Sequence, residues 1–493
     1  MCGILLVKSC SEISLDKHLS AFRILQSRGP DFNRFQYKNN IFIGQTVLHI
    51  TGTDEYYNNP PDNFLAYNGE IYNYQELGTY KNDIEFVHDC VENNITRLNN
   101  GWGPWAWAWT DNNTMLYAAD PQGERCLYHY QDSEILIVCS EVAPILTYIQ
   151  TEKIAQPYQT KHWCMLFDTP WRGISRIEPG QLYQDGAIAK KIDSIFDWIT
   201  PGGYRNINEA YEEFQSIWHR VISAMIPDCA AALTYSGGLD SSVILNSIPD
   251  LELYSINNTG KDPIVDRIRE FLTLKEQSRL HELIVDQQQW AEYFNQIIAR
   301  LKMPVQSWSF VGQWIVSQQC KQRVLFTGVG ADELFGGYDL YRTISYTDCS
   351  HSPYSRHSDR KLWDQCLAVY NGHPGQATLL IDYLHQVVGC DAQGVDAIAG
   401  AWGIETRNPF LAKPVMKFAL NLNHHFKVSN VSKPLIRRLF LERWNQDLIL
   451  PKKGFTGHCN DSLSWLGVDI TQTGDRAQDW KAIIQTSFYN YPN

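Results

Sequence analysis

Ser236-Gly237-Gly238-Leu239-Asp240-Ser241-Ser242 stands between an apolar stretch, residues 230–235, and a segment of helical spacing that begins at Ser241. Two adjacent glycines let a backbone wrap closely around an anion, and the helix that follows offers free N–H groups and the positive end of its dipole. The string therefore reads as a phosphate cradle. Its fixed pattern S-G-G-x-D-S arises by chance in a chain of this length on the order of once in 10⁴. No GxxxxGK[ST] accompanies it, the Gly-Lys pair of interest being Gly260-Lys261, so a Walker-type site is not indicated.

Working outward, Phe214, Ile217, Trp218, Val221, Ile222 and Met225 recur at helical spacing until Pro227. Strands are expected at 230–235, 251–256, 281–285 and 323–326, with helices at 262–272 and 288–301 between them. Such alternation implies a doubly wound parallel sheet that takes ligands at the carboxyl ends of its strands. After the last of these strands comes Thr327-Gly328-Val329-Gly330-Ala331-Asp332-Glu333. Two glycine-bounded acidic loops at neighbouring strand ends bring Asp240 and Asp332 within reach of one Mg²⁺ carrying pyrophosphate oxygens. Beyond Gly336 the chain reads as largely helical.

The first two hundred residues have another texture. Short strands are expected at 41–50, 63–67, 105–109, 115–118 and 135–138, and helices at 14–26 and 83–98. Trp105, Trp107 and Trp109 fall on one face of a strand, and a buried sheet face is the expectation over a stacking platform. Between 193 and 208 the pattern breaks at Thr200-Pro201-Gly202-Gly203, which divides the chain into 2–195 and 206–493.

Composition sets limits. Hydrophobic residues make up 44 % and charged residues 19 % of 493 positions, with 16 Trp, which fits folded domains and excludes a disordered chain. A net charge of −12 argues against nucleic acid as a partner. The 12 Cys include no CxxC pair, so neither a zinc site nor a disulfide framework is read from them. The start MCGILLVKSC lacks the order of a secretory signal, and no apolar run approaches membrane-helix length. A soluble, cytoplasmic protein with no membrane partner is expected. His351 and His357 lie in a Ser/Pro/Arg context and are read as a loop rather than a metal site.

Cys2 follows the initiator Met. Removal of Met1 frees an α-amine, of pKa near 8, beside a thiol for which it is the base. Arg28-Gly29-Pro30-Asp31 and Tyr67-Asn68-Gly69-Glu70-Ile71-Tyr72-Asn73 follow, and these resemble the glutaminase domain of class II amidotransferases. Together with SGGLDSS, Gly330-Ala331-Asp332-Glu333-Leu334-Phe335-Gly336-Gly337-Tyr338, Glu405-Thr406-Arg407-Asn408-Pro409-Phe410-Leu411 and Lys452-Lys453-Gly454-Phe455, the set resembles the glutamine-hydrolysing asparagine synthetase family. The resemblance runs the length of the chain in the family's order, with features of its divergent asparagine-synthetase-domain-containing branch.

That resemblance implies an N-terminal Ntn-type αββα sandwich followed by a parallel-sheet ATP pyrophosphatase domain with a helical C-terminal part. It implies asparagine made from aspartate through an aspartyl-AMP intermediate, with glutamine or ammonia as nitrogen donor and ATP and Mg²⁺ required. Cys2 is then the nucleophile, and Asn68 with Gly69 the oxyanion hole. Arg28, Asn68, Glu70 and Asp89 hold glutamine. Leu233, Ser236, Gly237, Gly238, Leu239, Asp240, Ser241, Ser242, Ile256, Gly328, Lys433 and Lys452 hold ATP. Glu405 and Arg407 belong to the aspartate pocket, Asp240 and Asp332 to the metal, and Lys452 also to catalysis. Lys433 and Arg437 match the family's K-x-x-x-R helix. An apolar passage for ammonia between the two sites is expected, and a homodimer stays open.

Three departures stand out. The family has His-x-Arg-Leu where this chain has Gln45-Thr46-Val47-Leu48, and Val47 has no cation for the glutamine α-carboxylate; Ser27 replaces the histidine before RGPD. Val329 replaces a polar residue, and Ala412 the Asp after PFL. Ammonium salts are therefore expected to outperform glutamine. Two other readings go with these departures: the same adenylating chemistry on a different carboxylic acid, and a pseudoenzyme kept for binding.

Overall fold

A computed structural model describes residues 1–50, 63–151, 166–200, 203–204, 206–258, 263–307, 309–342, 360–445, 449 and 488. Lys452, the 452–455 motif, His351 and His357 lie outside the described residues.

The N-terminal half is two stacked sheets. One runs β2 (Phe32–Lys38), β3 (Ile41–Val47), β1 (Gly3–Ser9), β8 (Ile135–Cys139), β7 (Tyr128–Gln131), β9 (Ile174–Arg176). The other runs β11 (Ala187–Lys191), β10 (Gln181–Gln184), β6 (Met115–Ala119), β5 (Trp105–Thr110), β4 (Phe64–Gly69). Period-two alternation sorts their side chains. Ile4, Leu6, Ile43 and Val138 of the first sheet meet Ala106, Ala108 and Tyr117 of the second in one core. Trp105 and Trp107 point the other way and pack with Phe86, Val87 and Cys90 of the helix Asp83–Asn93. Leu5, Val7 and Phe42 cover the helix Leu15–Arg23 through Ala21 and Phe22. The fold is thus an αββα sandwich, with Trp105 and Trp107 buried and Trp109 partly buried on the same strand face.

The C-terminal half holds a five-stranded parallel sheet, β14 (Leu280–Val285), β13 (Glu252–Asn258), β12 (Ala231–Thr234), β15 (Val324–Phe326), β16 (Glu405–Arg407). Registers such as Leu233↔Leu253 and Leu233↔Phe326 are all parallel. From β12 the chain order runs outward to β13 and β14 on one side and to β15 and β16 on the other. The topological switch point therefore lies between β12 and β15, where open α/β sheets form their crevice. The helix Ile207–Met225 packs beneath, capped by Asn206, with Phe214, Trp218, Val221 and Met225 buried.

Several elements depart from the sequence reading for identifiable reasons. The helices expected to reach 26 and 98 stop at Arg23 and Asn93, and each tightens into a 3₁₀ turn, Ile24–Ser27 and Ile95–Asn100. β16 has three residues, too few to show a period. The helix Ser309–Gln319 is buried from Phe310 to Ser317, so it has no polar face to mark its pitch. Among the described residues no helix is long and apolar enough to cross a membrane.

Candidate active site

Cys2 sits just before β1 and is nearly buried. Its N–H donates to Asn68 Oδ1 at 2.8 Å, and its carbonyl accepts from Arg28 Nε at 3.0 Å. Cys2 comes from one sheet and Asn68, at the end of β4, from the other, so stacking of the two sheets is what joins them. Because a backbone N–H only donates, the contact fixes the orientation of the Asn68 amide. Its Nδ2 is then a buried donor with no hydrogen-bond partner among the described residues. An unpaired buried donor is costly, so this amide is poised to donate to a group that enters next to Cys2. Gly3 and Gly69 make the close approach feasible: a Cβ would lie 2.7 Å from Thr46 Oγ1 at Gly3, and 2.4 Å from the Pro104 carbonyl at Gly69.

The structure brings Asp83, rather than Asp89, to the turn that carries Asn68. Asp83 Oδ2 accepts from the Tyr67 hydroxyl at 2.8 Å and from Ile71 N at 3.0 Å. Burial raises its carboxyl to about 6, partly offset by those donors. Asp89 lies farther along the same helix and is held by Tyr80, Asn93 and Arg97, with the Tyr80 hydroxyl foremost in keeping its carboxyl below the usual range. Asn82 caps this helix by accepting from Glu85 N, a local signal for where the helix starts that does not by itself single out Asp83. Val47 is buried against the core, and the following segment is pinned by Asp31, which accepts from His49 N and pairs with Arg323.

Between the halves runs a seam of buried charge. Arg28 Nη2 pairs with Asp396 at 2.7 Å and Nη1 with Glu141 at 3.4 Å, while Arg125 reaches Asp396 at 3.0 Å. Arg407 Nε binds Glu405 at 2.9 Å, and its Nη2 stands 3.8 Å from Glu70. The Met1 amine lies 3.9 Å from Glu405 Oε2, and burial lowers its pKa. Burial alone would raise the Glu405 carboxyl, but Arg407, the Met1 amine and Arg125 hold it below its ordinary value. Asn408 Nδ2 donates to Glu124 at 2.8 Å, and burial followed by Asp120 pushes the Glu124 carboxyl up to about 8. Arg28, Glu405 and Arg407 are thus interdomain residues here. The described seam is polar, because each buried guanidinium needs carboxylates and carbonyls to replace its water. Glu124, Glu141 and Asp396 belong to no motif and were not readable from the sequence.

At the switch point, Gly237 takes φ +67°, and Gly238 N donates to Ser236 Oγ at 3.2 Å. Ser241 Oγ donates to the Gly238 carbonyl at 3.2 Å, so the 236–242 loop is braced from within, and the helix Leu239–Ser247 starts at its rim. A Cβ on Gly328 would lie 3.1 Å from the Asp240 Cβ, so the β12 and β15 loops abut. Leu233 is buried in β12, and Ile256 is half-buried in β13. Lys433 Nζ stands 2.6 Å from Asp240 Oδ2 and 2.6 Å from Asp332 Oδ1. A cation between these carboxylates is already part of the structure, and the pair suits Mg²⁺ by donor type.

Comparison with known proteins agrees with this layout. A family model described as a glutamine amidotransferase domain matches residues 1–192, and one described as asparagine synthase matches 219–464. An asparagine synthetase [glutamine-hydrolyzing] of Sandersonia aurantiaca is 23% identical over 502 residues, covering 92% of this chain and 84% of its own length. Asparagine synthetase B of Escherichia coli (strain K12) is 22% identical over 476 residues, covering 89% of this chain and 78% of its own. A root asparagine synthetase of Pisum sativum is 22% identical over 501 residues, covering 92% and 76%. Joining a glutamine amidotransferase sandwich to a parallel-sheet synthase half, this chain belongs to the asparagine synthetase family.

Proposed function

We propose that the chain makes an amide from a carboxylic acid and ATP, with nitrogen drawn from glutamine or ammonia, and that aspartate is the acid and asparagine the product. The observation that carries this reading is the switch-point crevice, where the braced 236–242 loop faces the 327–333 loop and one cation bridges Asp240 and Asp332. In this reading residues 2–195 form the glutaminase and 206–493 the synthetase.

Cys2, freed of Met1, attacks the glutamine side-chain amide, and its α-amine takes the thiol proton. The Asn68 amide and the Gly69 N–H hold the oxyanion, after which ammonia leaves and water resolves the thioester. Asp83 is the buried carboxylate that would hold the substrate α-ammonium: a cation there relieves the burial that raises its pKa. Ammonia would then pass inside the protein to the second site, shielded from water in which it would mostly become ammonium.

In the second half a free carboxylate resists ammonia, because its carbon is a poor electrophile and its oxygen a poor leaving group. Adenylation turns that oxygen into AMP. Leu233, Ile256, the 236–242 loop and Gly328 would hold ATP, and Lys433 and Lys452 would meet its phosphates. Asp240 and Asp332 would hold Mg²⁺, which supplies charge neutralisation for departing pyrophosphate. A second acid stays in consideration on one observation: Val329 packs against the apolar core and Ala412 is buried, so two positions where the family resemblance implies polar groups are apolar here.

The test is ATP–pyrophosphate exchange over a panel of acids, with mass spectrometry of the product from amide-labelled glutamine. Exchange with aspartate and labelled asparagine are expected. Exchange with another acid alone would replace the substrate, and no exchange with Mg²⁺-loaded protein would sink adenylation.

A further inference from the structure

The two carboxylates of the crevice share an ammonium. Lys433 Nζ lies 2.7 Å from Asp240 Oδ1, 2.6 Å from Asp240 Oδ2 and 2.6 Å from Asp332 Oδ1. The lysine side chain is 4% exposed, and the carboxylates are 16% and 14% exposed. The fit around it is close: a Cβ on Gly337 would lie 1.8 Å from Asp332 Oδ1 and 2.2 Å from Lys433 Cε. Lys433 itself holds a left-handed backbone, φ 51° and ψ 55°, at the start of the helix Pro434–Leu441. Such a conformation in a lysine persists only where surrounding contacts fix it.

A divalent cation needs the same carboxylate oxygens. Entering alone, it must push the ammonium aside and leave two like charges a few ångströms apart in a largely buried place, where repulsion is strong. A pyrophosphate group changes this balance, because its anionic oxygens give Lys433 a new partner while the metal takes the old ones.

We propose that the Lys433 ammonium occupies the metal position of the empty enzyme, so that the divalent cation enters only together with a polyphosphate, which draws Lys433 away. The site thus rejects free metal and accepts the metal–nucleotide complex. This rests on the reading of Asp240 and Asp332 as the metal ligands. It assigns Lys433 a positioning role in the order of binding, apart from any contact it makes with phosphate later.

The experiment is Mn²⁺ binding by electron paramagnetic resonance on the full chain, with and without inorganic pyrophosphate, for wild type, Lys433→Met and Asp240→Asn. Wild type should leave Mn²⁺ free until pyrophosphate is added. Lys433→Met should bind Mn²⁺ unaided, on the order of a hundredfold tighter than wild type, because a neighbouring positive charge is gone. Asp240→Asn should lose binding in every arm. Wild type that takes up Mn²⁺ alone as well as with pyrophosphate overturns the proposal and leaves the metal-ligand reading intact. If neither wild type nor Lys433→Met holds Mn²⁺ even with pyrophosphate, the ligand assignment itself falls, and the proposal with it. Should Lys433→Met fail to fold, the two wild-type arms still decide.

Discussion

Glu124→Gln is the substitution whose effect on pH dependence follows most directly from the structure. Glu124 is 2% exposed, and its carboxyl accepts from Asn408 Nδ2 at 2.8 Å across the seam. Its pKa is pushed to about 8 from an ordinary 4.5, by burial first and Asp120 second. Between those two values the folded protein keeps a proton that the unfolded chain has lost. The folded state then binds more protons, so stability falls as pH rises through this window, by at most about 1.4 kcal/mol per pH unit. From pH 6 to pH 8 that is a ceiling of about 2.7 kcal/mol. Asp120, whose carboxyl burial raises to about 6, shares the titration, so about half the ceiling is the expected size.

Glutamine keeps the acceptor for Asn408 and cannot ionise. Denaturant unfolding of wild type and variant at pH 6 and pH 8, read on the transition that opens the seam, should show the variant losing about 1–2 kcal/mol less over that interval. Asp83 and Glu333, also raised by burial, titrate in both proteins and cancel in the difference. Parallel pH curves for the two proteins would refute the buried, protonated Glu124.

Three further outcomes are expected. Asn68→Ala removes both the acceptor of Cys2 N and the unpaired donor, and should cut glutamine hydrolysis by about 10²–10³ in kcat while ammonium-driven amide formation persists; an equal loss of both would contradict the oxyanion role. With Val47 buried and offering no cation, glutamine should show a high KM and ammonium salts should serve as the better donor; a low glutamine KM would tell against this. Arg28→Met leaves Asp396 and Glu141 short of a partner inside the seam and should destabilise the protein by about 3–5 kcal/mol in denaturant unfolding, so a change below about 1 kcal/mol would show that the seam pairs do not hold the halves together.

The motif loops were legible because their chemistry is local. Gly237 and Gly238 mark a tight strand-to-helix turn in seven consecutive residues, which is why the stretch reads as a phosphate cradle, and the alternation around them predicts the parallel sheet. Gly69 is different, because the need for a glycine there shows only in the fold, where a Cβ would lie 2.4 Å from the Pro104 carbonyl. Asp83 shows the limit of this reading: three-dimensional proximity to Tyr67 and Ile71, and not its spacing from Cys2, singles it out over Asp89 on the same helix.

What the sequence by itself determined is the set of short-range features: the glycine-rich 236–242 turn, a cysteine beside the chain start, the Asn-Gly turn and the layer type of each half. Only the tertiary structure decided which charges meet. Arg28, Arg125 and Arg407 lie far apart along the chain, yet each is buried and must find its counterions where water is absent. Lys433 likewise comes to rest between Asp240 and Asp332, 193 residues from the first of them. Such pairings depend on how two sheets and a seam close in space, a long-range condition that no local pattern of residues encodes.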